Sequence, residues 1–406
     1  MSKKSKAAKP LSYDCSFADI ISPITEEEFF RDYFGKKHLH IPGAANKYEK
    51  AMTWEILSNL LNMHSIWSSS SLMLAVDRKV IPANEYCRPG IDHSGNNVMQ
   101  PDPNMVKQHI SNGATLVCND IDTLNPGLMG ICNALEKAVN GKSQANLYCS
   151  SKQRQAFGSH YDTHDVFAMH MEGEKVWRIF SKMENLPIRH PDYIKPDERQ
   201  QKERGDSYIE ITMKPGDFLY VPRGLYHDAL SSSDGCIHIA FGLTGYIGLD
   251  VIETLGSAMI HDPLFRINAP RLSEGRDALK AHLSEMADHI NKMLHSEKFV
   301  DATYQRIQDF HYERSSYELP LKPKKIRFKT TSADFSITMA QGKVALVNKQ
   351  NQGVPIPPNL VDQIKWVISK NEFDRNEFTE IFAESGIDAL DQTLQNLQNM
   401  RVIQQV

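Results

Sequence analysis

Gly158-Ser159-His160-Tyr161-Asp162 and, far downstream, Val221-Pro222-Arg223-Gly224-Leu225-Tyr226-His227 are the two stretches that decide how this chain is read. An extended segment alternates its side chains, so His160 and Asp162 point to the same side and can offer an imidazole and a carboxylate to one ion. His227 follows a turn signal, Lys214-Pro215-Gly216-Asp217, and an apolar run, Phe218-Leu219-Tyr220-Val221. A strand ending there in the same barrel supplies a third ligand. Two histidines and one carboxylate on one face of an octahedron form the facial triad that holds Fe(II) in non-haem oxygenases, with three positions left open. A bare His-x-Asp triplet is weak, since two polar residues in a loop produce it by chance; its surroundings give it weight. An alternating stretch follows, Asp165 to Phe180, interrupted by Glu172-Gly173-Glu174, which reads as a hairpin. Nearby decoys fit less well. His164 and Asp165 are adjacent and face opposite ways, and His170 reads as a pore or core residue.

These residues resemble a known family. The Gly158–Asp162 motif, Asp165-Val166-Phe167, Glu172-Gly173-Glu174-Lys175-Val176-Trp177-Arg178, the run Pro215 to Gly224, and His227 look like the JmjC-type cupins of the ribosomal oxygenases. Gly113-Ala114-Thr115-Leu116-Val117, Asn146-Leu147-Tyr148 and the segment Phe30 to Pro42 fit the same pattern, so the likeness runs from about residue 17 to about 260. It implies a mostly β catalytic core, a double-stranded β-helix of the cupin or jelly-roll type. A helical dimerisation bundle and a C-terminal winged-helix-like domain follow it. It implies Fe(II) and 2-oxoglutarate as cofactors, dioxygen as co-substrate, and hydroxylation of a side chain, Arg or His, in a ribosomal protein. His160, Asp162 and His227 match the iron ligands, Lys175 the 2-oxoglutarate anchor, Asn146 and Tyr148 the polar pair of the co-substrate pocket. His238 matches a histidine that some members carry on the last barrel strand.

The physical logic is independent of the resemblance. The distal carboxylate of 2-oxoglutarate must be neutralised inside a narrow barrel, because a buried charge is tolerated only when paired. Lys175 and the Tyr148 hydroxyl suit that task. Each also has a plainer reading: a strand lysine usually snorkels to water past its neighbours, and Asn-x-Tyr is common. A lone histidine on an apolar strand, as His238 is, is more often a hydrogen-bonded core residue. Other functions compatible with the motifs are hydroxylation of a natural-product precursor peptide and metal binding by a non-catalytic cupin; lysine demethylation fits less well.

The rest of the chain bounds this reading. Its 406 residues, on a prior of about 100–200 per domain, suggest two or three domains. With 41% hydrophobic and 24% charged residues, a full core is available. A net charge of −4 speaks against a nucleic-acid partner, and no apolar run is long enough for a membrane. Six cysteines without a C-x-x-C pair point to reduced thiols in a cytoplasmic setting. The lysines at positions 3, 4, 6 and 9 admit a nuclear or nucleolar address instead.

Expected boundaries are a disordered basic tail over 1–16, the cupin domain over 17–247, a helical dimerisation region over 248–320, and a winged-helix-like domain over 321–406. The polar segment Asn185 to Arg204 reads as a surface insertion near the barrel mouth. The apolar stripe Leu279, Leu283, Met286, Ile290 and Met293 must be buried somewhere. A second copy of the chain, giving a homodimer, and the chain's own barrel are equally good covers. The acidic helices beyond residue 360 are a poor match to phosphate, which leaves a structural or protein-contact role.

Overall fold

The structure is a computed structural model; it describes residues 10–91, 96–150, 156–231, 235–314, 326–331, 335–340, 342–350 and 352–406. The chain divides into two units, residues 1–314 and 315–406. The helical region expected as a separate piece therefore belongs with the barrel.

Before the barrel come helices α1 (Phe17–Ile21) and α2 (Glu26–Asp32), strand β1 (Leu39–Ile41), and α3 (Trp54–Leu61). Each helix starts at a hydroxyl N-cap: the side chains of Ser16, Thr25 and Thr53 accept from free amides of the first turn. Strands β2 (Leu72–Val76), β3 (Lys79–Val80), β4 (Cys87–Ile91) and β5 (Asn97–Pro101) lead to α4 (Pro103–Ser111), β6 (Thr115–Cys118) and α5 (Pro126–Val139). The barrel strands are β7 (Gly141–Ser150), β8 (Asp165–Glu172), β9 (Lys175–Met183), β10 (Tyr208–Met213), β11 (Phe218–Val221), β12 (Leu225–Ser231) and β13 (Cys236–Gly245), with α6 (Asp197–Glu203) between β9 and β10. Helices α7 (Gly248–Met259), α8 (Gly275–Leu294) and α9 (Glu297–Gln308) complete the first unit.

One sheet has eight strands in the order β1-β11-β8-β13-β7-β6-β2-β3, and a smaller one has the order β10-β9-β12. The turn at Gly173 was expected to close a hairpin, and it does not. β8 pairs with β11 and β13, whereas β9 pairs with β10 and β12. The chain crosses from one sheet to the other at that turn. Nearly all of β8 is buried, so its flanks go to two central partners rather than to the next strand.

Strand alternation then separates two cores. Phe167, Met169, Phe218, Tyr220, Ile239, Phe241, Leu147 and Cys149 pack outward from the large sheet onto the helices. Val166, Ala168, Leu219 and Val221 face Trp177, Ile179, Ile211 and Met213 of the small sheet. The register sets Tyr148 beside His238 and His238 beside His170, so these three share the inner face.

The stretch 10–16, expected with the tail, is packed. Leu11 N–H donates to the Lys47 carbonyl and Cys15 is buried. The remainder of the tail, residues 1–9, lies outside the described residues.

The second unit contains β14 (Arg327–Thr330), β15 (Phe335–Ala340), β16 (Lys343–Asn348), β17 (Gly353–Pro355), α10 (Val361–Ser369), β18 (Glu372–Asp374), α11 (Arg375–Ile381), α12 (Ile387–Asn399) and β19 (Ile403–Gln405). Two three-stranded sheets, β18-β14-β19 and β15-β16-β17, share a core of Phe328, Leu346, Val367, Phe373, Phe378, Leu390 and Leu394 with these helices.

All six cysteines are free and buried. Among the described residues no helix is long and apolar enough to cross a membrane.

Candidate metal centre

Three of the predicted residues meet. Ligand atoms of His160, Asp162 and His227 all lie within 4.8 Å of one another. They are joined by a short antiparallel bridge outside the regular strands: His160 N–H donates to the His227 carbonyl at 2.9 Å, and His227 N–H donates back at 2.8 Å. Gly224 N–H donates to the Asp162 carbonyl at 2.9 Å and draws the turn before His227 onto the same loop. Gly224 has φ +86, and a Cβ there would lie 2.2 Å from the Glu184 carbonyl oxygen, so the position requires glycine.

Both imidazoles are oriented by backbone acceptors. His160 Nδ1 is 2.8 Å from the Gly158 carbonyl and His227 Nδ1 is 2.9 Å from that of Leu225. A carbonyl only accepts, so each Nδ1 carries a proton and each Nε2 is the nitrogen left to face an ion. The His227 Nε2 lies 3.4 Å from Asp162 Oδ2. Burial lowers the His160 pKa, helped by the neighbouring His227. It also pulls on His227, but the bond to Asp162 lifts that ring above its ordinary value. Burial likewise opposes charge on Asp162; His227 and the imidazoles of His160 and His164 outweigh it and hold the carboxyl well below the carboxylate range. Two imidazole nitrogens and one carboxylate oxygen converging on a point fit a divalent cation, which would take the place of a proton on His227 Nε2.

The triad opens onto a cavity of about 120 Å³ whose wall also includes Asn146, Tyr148, Lys175, Trp177 and His238. All four predicted co-substrate residues therefore reach the cavity that holds the triad. Lys175 is buried, and no carboxylate among the described residues pairs with it. Its ammonium lies 3.4 Å from His238 Nδ1, which must accept and is therefore neutral. Burial and the Lys175 charge push His238 well below its ordinary pKa, and burial lowers Lys175 as well. Tyr148 stacks on His238 with ring centroids 4.8 Å apart. The Asn146 side-chain oxygen accepts from Asp120 N–H at 3.1 Å, so this residue also braces the turn before α5. His238, which the sequence left between core and site, sits in both.

The decoys separate. Asp165 is held by Tyr220 Oη at 2.6 Å and is no ligand. His170 bonds to the Gly173 carbonyl at 3.0 Å in the core. His164 does line the cavity, packed on Gly242, where a Cβ would lie 2.5 Å from its ring.

Alternation along β9 turns Arg178 to the face opposite Lys175. There it pairs with buried Asp228 at 2.7 Å, and Asp228 also accepts from the Ser159 hydroxyl. Ser159 and Asp228 each adjoin a triad histidine, so this network ties the two ligand segments from behind. Sequence reading missed it, because an Arg, an Asp and a Ser so far apart carry no spacing signal. Trp177 stacks on His227 with centroids 5.7 Å apart, another contact without a motif.

A family model described as the JmjC domain matches residues 124–248. A Dictyostelium discoideum protein named bifunctional lysine-specific demethylase and histidyl-hydroxylase NO66 is 30% identical over 236 residues, which are 57% of this chain and 43% of that protein. The protein of that name from Drosophila persimilis is 26% identical over 55% of this chain and 31% of its own length. The chain thus spans less than half the length of these relatives. The uncharacterized protein YxbC of Bacillus subtilis is 26% identical over 65% of this chain and 82% of its own length. Among solved structures, Escherichia coli ycfD aligns over 94% of this chain and 98% of its own at 14% identity, with a TM-score of 0.49. Residues 124–248, which carry the triad, match the model of the JmjC domain, and over 236 residues the chain is similar to a NO66 protein.

Proposed function

We propose that this protein is an Fe(II)- and 2-oxoglutarate-dependent oxygenase that hydroxylates a side chain, Arg or His, in a ribosomal protein. The observation that carries this reading is the pairing, in one cavity, of the His160–Asp162–His227 triad with a buried Lys175 that pairs with no carboxylate among the described residues. Bound Fe(II), with dioxygen and 2-oxoglutarate, supplies the power to hydroxylate a C–H bond, and the co-substrate leaves as succinate and carbon dioxide.

The chain supplies placement. His160, Asp162 and His227 would hold the ion at the wall of the cavity. Lys175 neutralises the distal carboxylate, and Tyr148 shares that charge through its hydroxyl. His238 stays neutral, holds the ammonium in place and adds no competing charge. The apolar walls, Val166, Ala229 and Ala240, keep bulk water away from the ion.

The relatives' names, which print lysine demethylase and histidyl-hydroxylase activities, favour a protein substrate. We further propose a homodimer through α7–α9 and a winged-helix-like, protein-contacting second unit. Exposed Leu249 and Ile252 on α7, and α8 without a buried residue, support the dimer. The test is succinate release from 2-oxoglutarate by the Fe(II)-loaded protein, with mass spectrometry of ribosomal proteins before and after. A mass gain of one oxygen on Arg or His supports the reading. Absence of turnover with every ribosomal protein leaves the non-catalytic cupin as the better account.

A further inference from the structure

The metal site makes no direct use of the segment between β9 and β10, yet that segment lies on its back. Gln200 Oε1, from α6, accepts from the Tyr161 N–H at 3.2 Å, and Gln201 Nε2 donates to the Ser159 carbonyl at 3.0 Å. These two peptide groups flank His160. A Cβ on Gly158 would lie 2.9 Å from Gln201 Nε2, so glycine there lets the helix close onto the ligand loop.

Alternation explains what else the segment covers. With His160, Asp162 and His227 pointing to the cavity, Tyr161 and Tyr226 point outward. They meet edge to face with centroids 5.1 Å apart. The Tyr161 hydroxyl donates to the Tyr193 carbonyl at 2.5 Å, and the Lys195 ammonium lies 5.4 Å from the Tyr161 ring centre. Lys195 pairs with Glu184 at the start of the segment and with Glu203, at 2.7 Å, at its end, which buckles the segment shut. Tyr226 Oη also reaches Glu203 at 3.4 Å.

We propose that residues 184–204 are a clamp that fixes the geometry of the metal ligands, with Gln200 and Gln201 as positioning residues for His160 and Asp162. The inference rests on the metal reading of the triad. Its physical basis is that His160 and Asp162 lie outside the regular strands, and the short bridge to His227 takes the His160 N–H and carbonyl but leaves the Ser159 carbonyl and the Tyr161 N–H on either side to be held by side chains. Ligands held within a fraction of an ångström bind an ion without first being ordered.

The test is Co(II) binding by the full chain, followed by calorimetry and by the visible absorption of the bound ion. Gln200→Ala combined with Gln201→Ala should weaken Co(II) binding by about 10–100-fold and alter the absorption bands, while the metal-free protein melts as the parent does. The two glutamines have opposite hydrogen-bond roles, which gives a second measurement. Gln200→Glu keeps an acceptor for the Tyr161 N–H but loses the donor that Gln200 Nε2 gives the Lys195 carbonyl at 3.0 Å, away from the ligand loop, so it should keep more Co(II) affinity than Gln201→Glu. Gln201→Glu sets a carboxylate against the Ser159 carbonyl and should lose it. Glu198→Ala, on the exposed face of α6, should change nothing.

Parent-like Co(II) affinity and spectrum in the double alanine variant overturn the clamp and leave the triad standing. If that variant does not fold, equal affinities in the two Glu variants overturn it. A parent protein that takes up no Co(II) overturns both the clamp and the metal reading.

Discussion

At the scale of single residues the proposed site divides into groups assigned to an ion and groups assigned to an anion, and the two can be tested apart. Asp162→Ala removes the anionic donor and leaves two neutral imidazoles, so metal uptake and 2-oxoglutarate turnover should both be lost while the fold persists. Decarboxylation surviving in that variant would remove Asp162 from the ligand set. Lys175→Ala leaves a buried carboxylate without its partner, a loss of about 3–5 kcal/mol. The KM for 2-oxoglutarate should therefore rise by roughly two to four orders of magnitude, at 1.4 kcal/mol per tenfold, with metal affinity unchanged; an unchanged KM would move the anchor elsewhere. Arg178 and Arg223 are poor substitutes, since Arg178 is committed to Asp228 and Arg223 lines a different cavity. His170 gives a pH test. Burial, with the nearby Lys175 charge, lowers its pKa from 6.5 to about 4, so the unfolded chain takes that proton first. Its contribution to stability is complete above pH 6.5 and is lost as the pH falls toward 4. Urea midpoints measured from pH 7 to 4 should decline, and less steeply in His170→Gln; parallel declines would acquit this residue.

At the scale of elements, helix positions were legible because caps and apolar spacing are local. The stripe from Leu279 to Met293 marked α8, and Thr25 and Thr53 cap α2 and α3. Strand pairing was not legible: β8 and β9 look like a hairpin in sequence but pair with other strands, because pairing depends on partners distant in the chain. The polar segment Asn185 to Arg204 was read as a mouth insertion, and its hold on the ligand loop could not be seen, since glutamine side chains carry no pattern. One further element was silent in sequence. The segment after α9 returns to the barrel and seats Arg314 in a buried socket, with Asp122 at 2.9 Å, Glu136 at 2.5 Å and the Ser143 carbonyl at 2.7 Å. Arg314→Ala leaves those carboxylates uncompensated and should destabilise the first unit by about 3–5 kcal/mol. A midpoint shift under about 1 kcal/mol in chemical denaturation would show that water satisfies the socket.

At the scale of the whole molecule, α7–α9 leave Leu249, Ile252, Leu279 and Leu283 exposed, while Met286, Ile290 and Met293 are half-covered. The predicted stripe is therefore only partly covered within one chain, and a two-fold contact buries such a patch against its own copy. Light scattering at micromolar concentration should give twice the 46.1 kDa of one chain, and Leu279→Arg with Leu283→Arg should bring the mass down to one. A parent mass of one chain would end the dimer proposal. The sequence by itself determined which residue types are the candidate ligands and that His160 and Asp162 share a face, because alternation acts over a few residues. Only the tertiary structure decided that His160 pairs with His227, that Lys175 lacks a described carboxylate partner, and that Arg178 turns away to Asp228. Those outcomes depend on which distant strands become neighbours and on which buried charges find partners there.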